Sequence, residues 1–133
     1  MHNNPYAKIK ENSINTATPE ELTLMLYNGG VKFLNQAVIA LEKKDYEMTN
    51  NSIQRAKNII REFQLTLNMD YDISHELYEA YGYMHRRLTE ANMKKDIEIL
   101  NEVLEYLRSF RDTWKEAMKR ARAVSYTHLT LPT

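Results

Sequence analysis

DIEILNEVLEYLRSFRDTWKEAMKRAR, residues 96–122, places Leu100, Val103, Leu107, Phe110, Trp114, Ala117 and Ala121 at alternating spacings of three and four. That spacing puts all seven on one stripe of a helix with 3.6 residues per turn, and Lys119, Arg120 and Arg122 suit its negative C-terminal end. Asp96 stands where a helix N-cap is wanted, so a long amphipathic helix opens there and ends near Arg122. A stripe this long needs apolar partners, and the preceding sequence supplies three more of the same kind.

At Thr18-Pro19-Glu20-Glu21 a hydroxyl N-cap precedes proline at the first helical position and glutamate at the third, which marks a helix start. From there Leu24, Tyr27, Val31, Leu34, Val38 and Leu41 repeat at core spacing, and Lys43-Lys44 close the segment. Asp45 caps a second helix, whose stripe of Tyr46, Ile53, Ala56, Ile60, Phe63 and Leu67 runs to about Asn68. A third helix follows residues 68–72, carries Leu77, Tyr81, Met84, Leu88 and Ala91, and stops near Asn92. Helices of about 20 to 27 residues, roughly 30 to 40 Å long and joined by short turns, must be sequential antiparallel neighbours. The predicted fold is all-α: an antiparallel up-down four-helix bundle over residues 18–123, preceded by an N-terminal arm, residues 1–17. The closing VSYTHLTLPT, residues 124–133, loses charge and alternates Thr, Tyr and Leu before a proline, and is expected to be a tail that is disordered or not native to the chain.

At 133 residues with 43% hydrophobic content, the chain suffices for one self-supporting core. Its 18 basic and 18 acidic residues leave no net field to gather phosphate backbones, so nucleic acid is not the expected partner. Cysteine is absent, which removes disulfides, thiolate nucleophiles and sulfur-ligated metals. No signal-peptide pattern and no run of about 20 apolar residues is present, so a cytoplasmic protein without a membrane span is expected.

Catalytic spacings are missing as well. A two-metal bundle site wants paired Glu-x-x-His motifs, and the nearest match, Asp72-Ile73-Ser74-His75, occurs once and with aspartate. His75-Glu76 begins like a zincin motif, but Glu79 stands where the second histidine belongs. His85 has no carboxylate three or four residues away to orient it, no nucleophile triad is visible, and Gly29-Gly30 lacks any phosphate-loop context. Neither a metal nor a cofactor is expected, and no enzyme activity.

The informative residues are apolar ones that four core stripes leave over. On helix one, Leu22, Leu26, Gly29, Phe33, Ala37 and Ala40 centre roughly 130° from the core line, so this helix is apolar on two sides. Two coverings fit: the arm's own Tyr6, Ile9 and Ile14, or a visiting helix from another chain, with the arm as a displaceable cover reconciling them. Gly29 and Gly30 cost about 1 kcal/mol each against alanine in a helix interior, so something packs closely there. On helix three, Tyr71, Tyr78, Gly82 and His85 form a flank beside the core, and Leu65 points away from the core of helix two. Arg86-Arg87 and Lys94-Lys95 are expected to solvate the surface.

In joint order, several of these segments resemble the FliS family of flagellin export chaperones. The resemblance rests on Asn4-Pro5-Tyr6, Asn12-Ser13, residues 16–29 (TATPEELTLMLYNG), Ala56-Lys57-Asn58-Ile59-Ile60, residues 83–92 (YMHRRLTEAN) and Phe110-Arg111-Asp112-Thr113-Trp114. It implies a cytoplasmic helical bundle that binds the C-terminal segment of flagellin, prevents premature polymerisation and delivers it to the flagellar export apparatus. The guest is then expected on Tyr6 and Ile9 of the arm, on Leu22, Leu26, Gly29 and Phe33 of helix one, and on Leu65, Tyr78 and Gly82. Ile9 stands where the family often has a second arm tyrosine, Gly30 where a larger small residue is common, and Gly82 where a polar one is usual. The competing expectation, from pattern alone, is a structural or adaptor module that self-associates through the second apolar side of helix one.

Overall fold

The computed structural model describes residues 16–130, with side chains through Val124. Four helices span them: α1 (Pro19–Glu42), α2 (Tyr46–Thr66), α3 (Asp72–Lys94) and α4 (Ile97–Thr130). The starts of α1, α2 and α4 follow from capping. The Thr18 hydroxyl accepts from the Glu21 amide at 3.2 Å, the Asp45 carboxylate from the Met48 amide at 3.1 Å, and the Asp96 carboxylate from the amides of Glu98 and Ile99 at 2.9 and 3.4 Å. Each satisfies amides that a helix start leaves without an internal partner. Left-handed Lys44 (φ 59°) and Lys95 (φ 51°) turn the chain after α1 and α3.

The helices pack in a ring, each against its sequence neighbours, with α4 closing onto α1. Antiparallel pairing of α1 and α4 is fixed by two contacts: the Trp114 indole donates to the Glu20 carbonyl at 3.0 Å, and the Arg108 guanidinium donates to the Asn35 side-chain oxygen at 3.0 Å. Leu34, Ile53, Ile60, Met84, Leu88, Leu100, Val103 and Leu107 are fully buried between the four helices. At roughly 1.5–3 kcal/mol for each large apolar side chain buried, this layer is the main source of cohesion. The expected bundle is present.

Its details differ from the expected boundaries in ways that packing explains. Helix α2 ends at Thr66 and α3 at Lys94, each within two residues of the expected stop. Helix α4 continues to Thr130, past Arg122 and into the segment expected to be a tail that is disordered or not native to the chain; its backbone is helical over 124–130. Tyr46, placed on the core stripe of α2, is half exposed because it is the first residue of its helix and lies beyond the packed layer. Ala117 and Ala121 are exposed for the same reason at the other end of the bundle. The glycine pair separates into two cases. A Cβ on Gly30 would lie 2.7 Å from Leu107 Cδ2, so this glycine lets α4 approach α1; a Cβ on Gly29 would meet Ile59 Cδ1 at an ordinary 3.4 Å.

Candidate functional site

Among the described residues, the register that sets Trp114 beside Glu20 also leaves one end of the bundle open. The apolar stripe of α4 runs on through Phe110, Trp114 and Ala117 to the level where α1 and α3 begin and α2 ends. There the helices no longer fill the axis, and a cavity of 530 Å³ remains. Helix α1 contributes Thr23 and Tyr27, α2 Phe63 and Thr66, the turn after it Leu67 and Asn68, α3 Ile73, Leu77 and Tyr81, and α4 Ser109, Phe110, Thr113, Trp114 and Ala117.

Its floor is aromatic, with one ring from each helix. Tyr27 and Phe63 have ring centroids 4.4 Å apart, Phe63 and Tyr81 stack at 5.2 Å, and Tyr81 meets Phe110 edge-on at 5.7 Å. Such pairs add about 0.5–1.5 kcal/mol beyond their buried area, which makes the floor firm. The Tyr27 and Tyr81 hydroxyls hydrogen-bond across the bundle at 2.5 Å. Burial raises the pKa of both phenols, so they stay neutral and spend their polarity on each other. What faces the cavity is therefore chiefly hydrocarbon and ring edge, with hydroxyls of Thr23, Thr66 and Thr113 around it. Leu67, Leu77, Phe110 and Trp114 are only partly buried, and Ile73 is exposed at the rim. An apolar cavity with a rigid floor and exposed apolar rim suits the side chains of another polypeptide. A larger depression of 910 Å³ borders α4 alone and is lined mainly by Glu105, Arg108, Asp112, Glu116 and Arg120, without a facing wall.

The residues expected from sequence to meet a guest fall on two seams flanking α2. Leu22, Leu26, Gly29 and Phe33 lie along the α1–α2 side: Gly29 faces Ile59, Phe33 lies under the Arg55 guanidinium at 5.5 Å, and Leu26 and Phe33 pack partly against the core. Only Leu22, at 37% exposure, is open there, and the neighbouring Ala37 and Ala40 are buried. Much of the second apolar side of α1 is thus helix packing. Tyr78 and Gly82 lie on the α2–α3 side, where the Gln64 amide donates to the Tyr78 carbonyl at 3.1 Å; Leu65 is 73% exposed. Tyr6 and Ile9 lie outside the described residues. Leu77, Phe110 and Trp114, by contrast, read as core in sequence, where nothing sets them apart from the buried part of their stripes. Once Trp114 is paired with Glu20, the stripe beyond it has no α1 partner.

Among the described residues no group of three or more His, Asp or Glu side chains is placed to hold a metal ion, and no described helix is long and apolar enough to cross a membrane.

Comparison with known proteins agrees with this architecture. Residues 2–121 match the family model described as "Flagellar protein FliS". The chain is 48% identical over 119 residues to the flagellar secretion chaperone FliS of Bacillus subtilis (strain 168), covering 90% of each. It is 31% identical over 118 residues to the FliS of Escherichia coli (strain K12), covering 85% of this chain and 86% of that one. A solved structure described as a crystal structure of flagellar chaperone from bacteria superposes with a TM-score of 0.72 over 87% of this chain and 96% of its own; at 16% identity that likeness is one of fold.

Proposed function

The chain belongs to the FliS family, whose relatives here are flagellar secretion chaperones, and from that premise we propose that it binds the C-terminal region of newly made flagellin in the cytoplasm. It holds that region unpolymerised and hands it to the flagellar export apparatus, without catalysing a reaction. The observation that carries this reading is the open end of the bundle, where four helices present an aromatic floor and a partly exposed apolar wall.

Physically, a segment destined to pack inside a filament is amphipathic and disordered while alone, so it needs a surface for its apolar side chains. The end cavity takes one or two of them, the flanking Leu22 and Leu65 extend the apolar contact, and Tyr6 and Ile9 of the arm add to it. Ordering the guest costs about 2–5 kcal/mol or more of the gross interaction, which keeps the hold reversible, as delivery requires.

Titration calorimetry of the full chain with a flagellin C-terminal peptide tests this. Binding with a negative heat-capacity change is expected. Ile73→Asp, at a rim position 57% exposed, should weaken binding at least about tenfold, some 1.4 kcal/mol, with little loss of stability. Lys119→Ala, an exposed position on α4, should leave it unchanged. Absence of binding refutes the reading. Unaltered binding by Ile73→Asp together with loss in Leu26→Asp would move the site to the α1–α2 seam, and a tight dimer of the free chain broken by Leu22→Asp would favour the self-association reading instead.

A further inference from the structure

The chain is neutral overall, with 18 residues of each charge, yet its charges are not mixed evenly along the seam between α2 and α3. On α2, the flank facing α3 carries Lys57, Arg61 and Gln64, as their contacts and helical phase agree. On α3, the facing flank carries Tyr78, Gly82, His85 and Arg86. One Arg61 guanidinium nitrogen donates to the Gln64 side-chain oxygen at 2.9 Å, and the other sits 3.3 Å from His85 Nε2. None of Lys57, Arg61 and Arg86 is in an ion pair among the described residues, whereas Arg87, one residue on, is held by both Glu90 and Glu102 on the α4 side. The acids nearby leave the three cations unpaired: Glu62 is a roughly 100° turn around α2 from Arg61, Glu90, one turn from Arg86, is held by Arg87 and Lys94, and Glu79, on the flank of Arg86 but two turns and about 10 Å away, pairs with none of them. His85 registers the result. Its pKa is lowered by burial, then by Arg61 and Lys57, and no carboxylate is among the causes.

We propose that this seam is a docking strip for an acidic, amphipathic polypeptide segment, whose carboxylates pair with Lys57, Arg61 and Arg86 while its apolar side chains continue into the end cavity. The proposal deepens the chaperone reading and rests on it, naming the chemistry of the guest along one face. Two features beyond charge fit a polypeptide occupant. Exposed Tyr78 and Leu65 border the cations, and exposed Ile73 links the strip to the cavity, so one chain can engage apolar and charged stations in sequence. Gly82 lowers the wall between them: a Cβ there would come within 3.3 Å of both the Arg86 guanidinium and the Gln64 amide, so the glycine spares these two groups a shift of a few tenths of an ångström. Arginine forks offer a carboxylate paired, directional donors, which is the recognition the unpaired guanidiniums supply.

The test uses the full chain and two labelled peptides, a flagellin C-terminal peptide chosen to include Asp and Glu residues, called acidic below, and the same peptide with every Asp and Glu replaced by Asn and Gln, followed by fluorescence anisotropy. The acidic peptide should lose about tenfold in affinity between low salt and 0.3 M NaCl, and the neutral one less than about twofold. Arg61→Glu with Arg86→Glu should weaken the acidic peptide about tenfold or more and leave the neutral one within about twofold, with Lys57→Glu as a milder variant and thermal melts confirming the fold. Ile73→Asp should weaken both peptides. Equal affinity and salt response for the two peptides overturns the strip while the chaperone reading stands. Failure of the unaltered chain to bind either peptide overturns both. Tighter, Arg61-dependent binding of a short DNA duplex overturns the polypeptide assignment.

Discussion

Gly29 and Gly30 are adjacent, both lie inside α1, and replacement by alanine should move stability in opposite directions. In a helix interior, alanine is favoured over glycine by about 0.8–1 kcal/mol because it restricts the unfolded chain and shields the backbone. At Gly29 the added methyl meets Ile59 Cδ1 at 3.4 Å, an ordinary contact, so Gly29→Ala should gain most of that amount. At Gly30 the methyl would stand 2.7 Å from Leu107 Cδ2, about 1 Å inside normal carbon–carbon separation. Leu107 has no exposed surface, so it yields only by displacing core neighbours. Overpacking of this kind costs about 1–3 kcal/mol; after the propensity gain, Gly30→Ala is left neutral to about 2 kcal/mol less stable. The two variants should therefore differ by roughly 1–3 kcal/mol in urea unfolding followed by circular dichroism, with unchanged slope. Adding Leu107→Ala removes the obstructing methyl, and a double-mutant cycle should show Gly30→Ala becoming less harmful in that background. If Gly30→Ala is as stable as Gly29→Ala, or the cycle shows no coupling, the close approach of α1 and α4 is not what glycine 30 serves.

Two further outcomes follow from the polar groups. Tyr81→Phe removes one member of the buried hydroxyl pair and leaves the Tyr27 phenol without its partner, so a loss of about 1–3 kcal/mol is expected by urea unfolding. The double change to phenylalanine should cost less than the sum of the two single changes, and additivity would refute the pairing. His85 has a lowered pKa in the folded chain, so the unfolded chain binds the proton more readily; stability should be intact above about pH 6.5 and fall as pH drops below it. His85→Gln should flatten the change in unfolding midpoint between pH 7.5 and 5.5, and an unchanged slope would show that another group is responsible.

How much of this is written in the sequence depends on whether a feature is local. The caps at Thr18, Asp45 and Asp96 are contained within four residues and read directly, and the stripes through Leu34, Ile60, Leu88 and Leu107 define a core because their period is intrinsic to the helix. Register between helices is not local. Ile99 and Leu104 are buried although they lie off the stripe of α4, since α4 touches both α1 and α3 and so buries a wider arc than one seam. Trp114 reads as core in the same way as Leu107, and only its pairing with Glu20 shows that it walls a cavity. The second apolar side of α1 was legible as apolar, but whether α2 or a guest covers it depends on where α2 sits, and α2 covers Phe33 with Arg55.

The two ends of the bundle are built for different tasks, and the difference lies in what terminates each stripe. Where α1 passes to α2 and α3 to α4, the chain turns within a few residues, and the Asn92 amide donates to the Asn50 side-chain oxygen at 2.7 Å, tying α2 to α3 with polar groups at the edge of the core. At the opposite end, where residues 67–71 join α2 to α3, the described residues place no such polar tie over the core: aromatic residues from all four helices form the floor, and Leu77, Trp114 and Ile73 continue the apolar surface outward. An ordinary bundle would end both stripes at the same level, because exposed apolar wall contributes nothing to folding. Helix α4 instead carries Trp114 to the very start of α1, where its indole donates to the Glu20 carbonyl at 3.0 Å and so ties this wall to α1. A wall so tied reduces the ordering that binding requires and leaves that cost with the guest segment, which is the arrangement the proposed hold on a disordered segment needs.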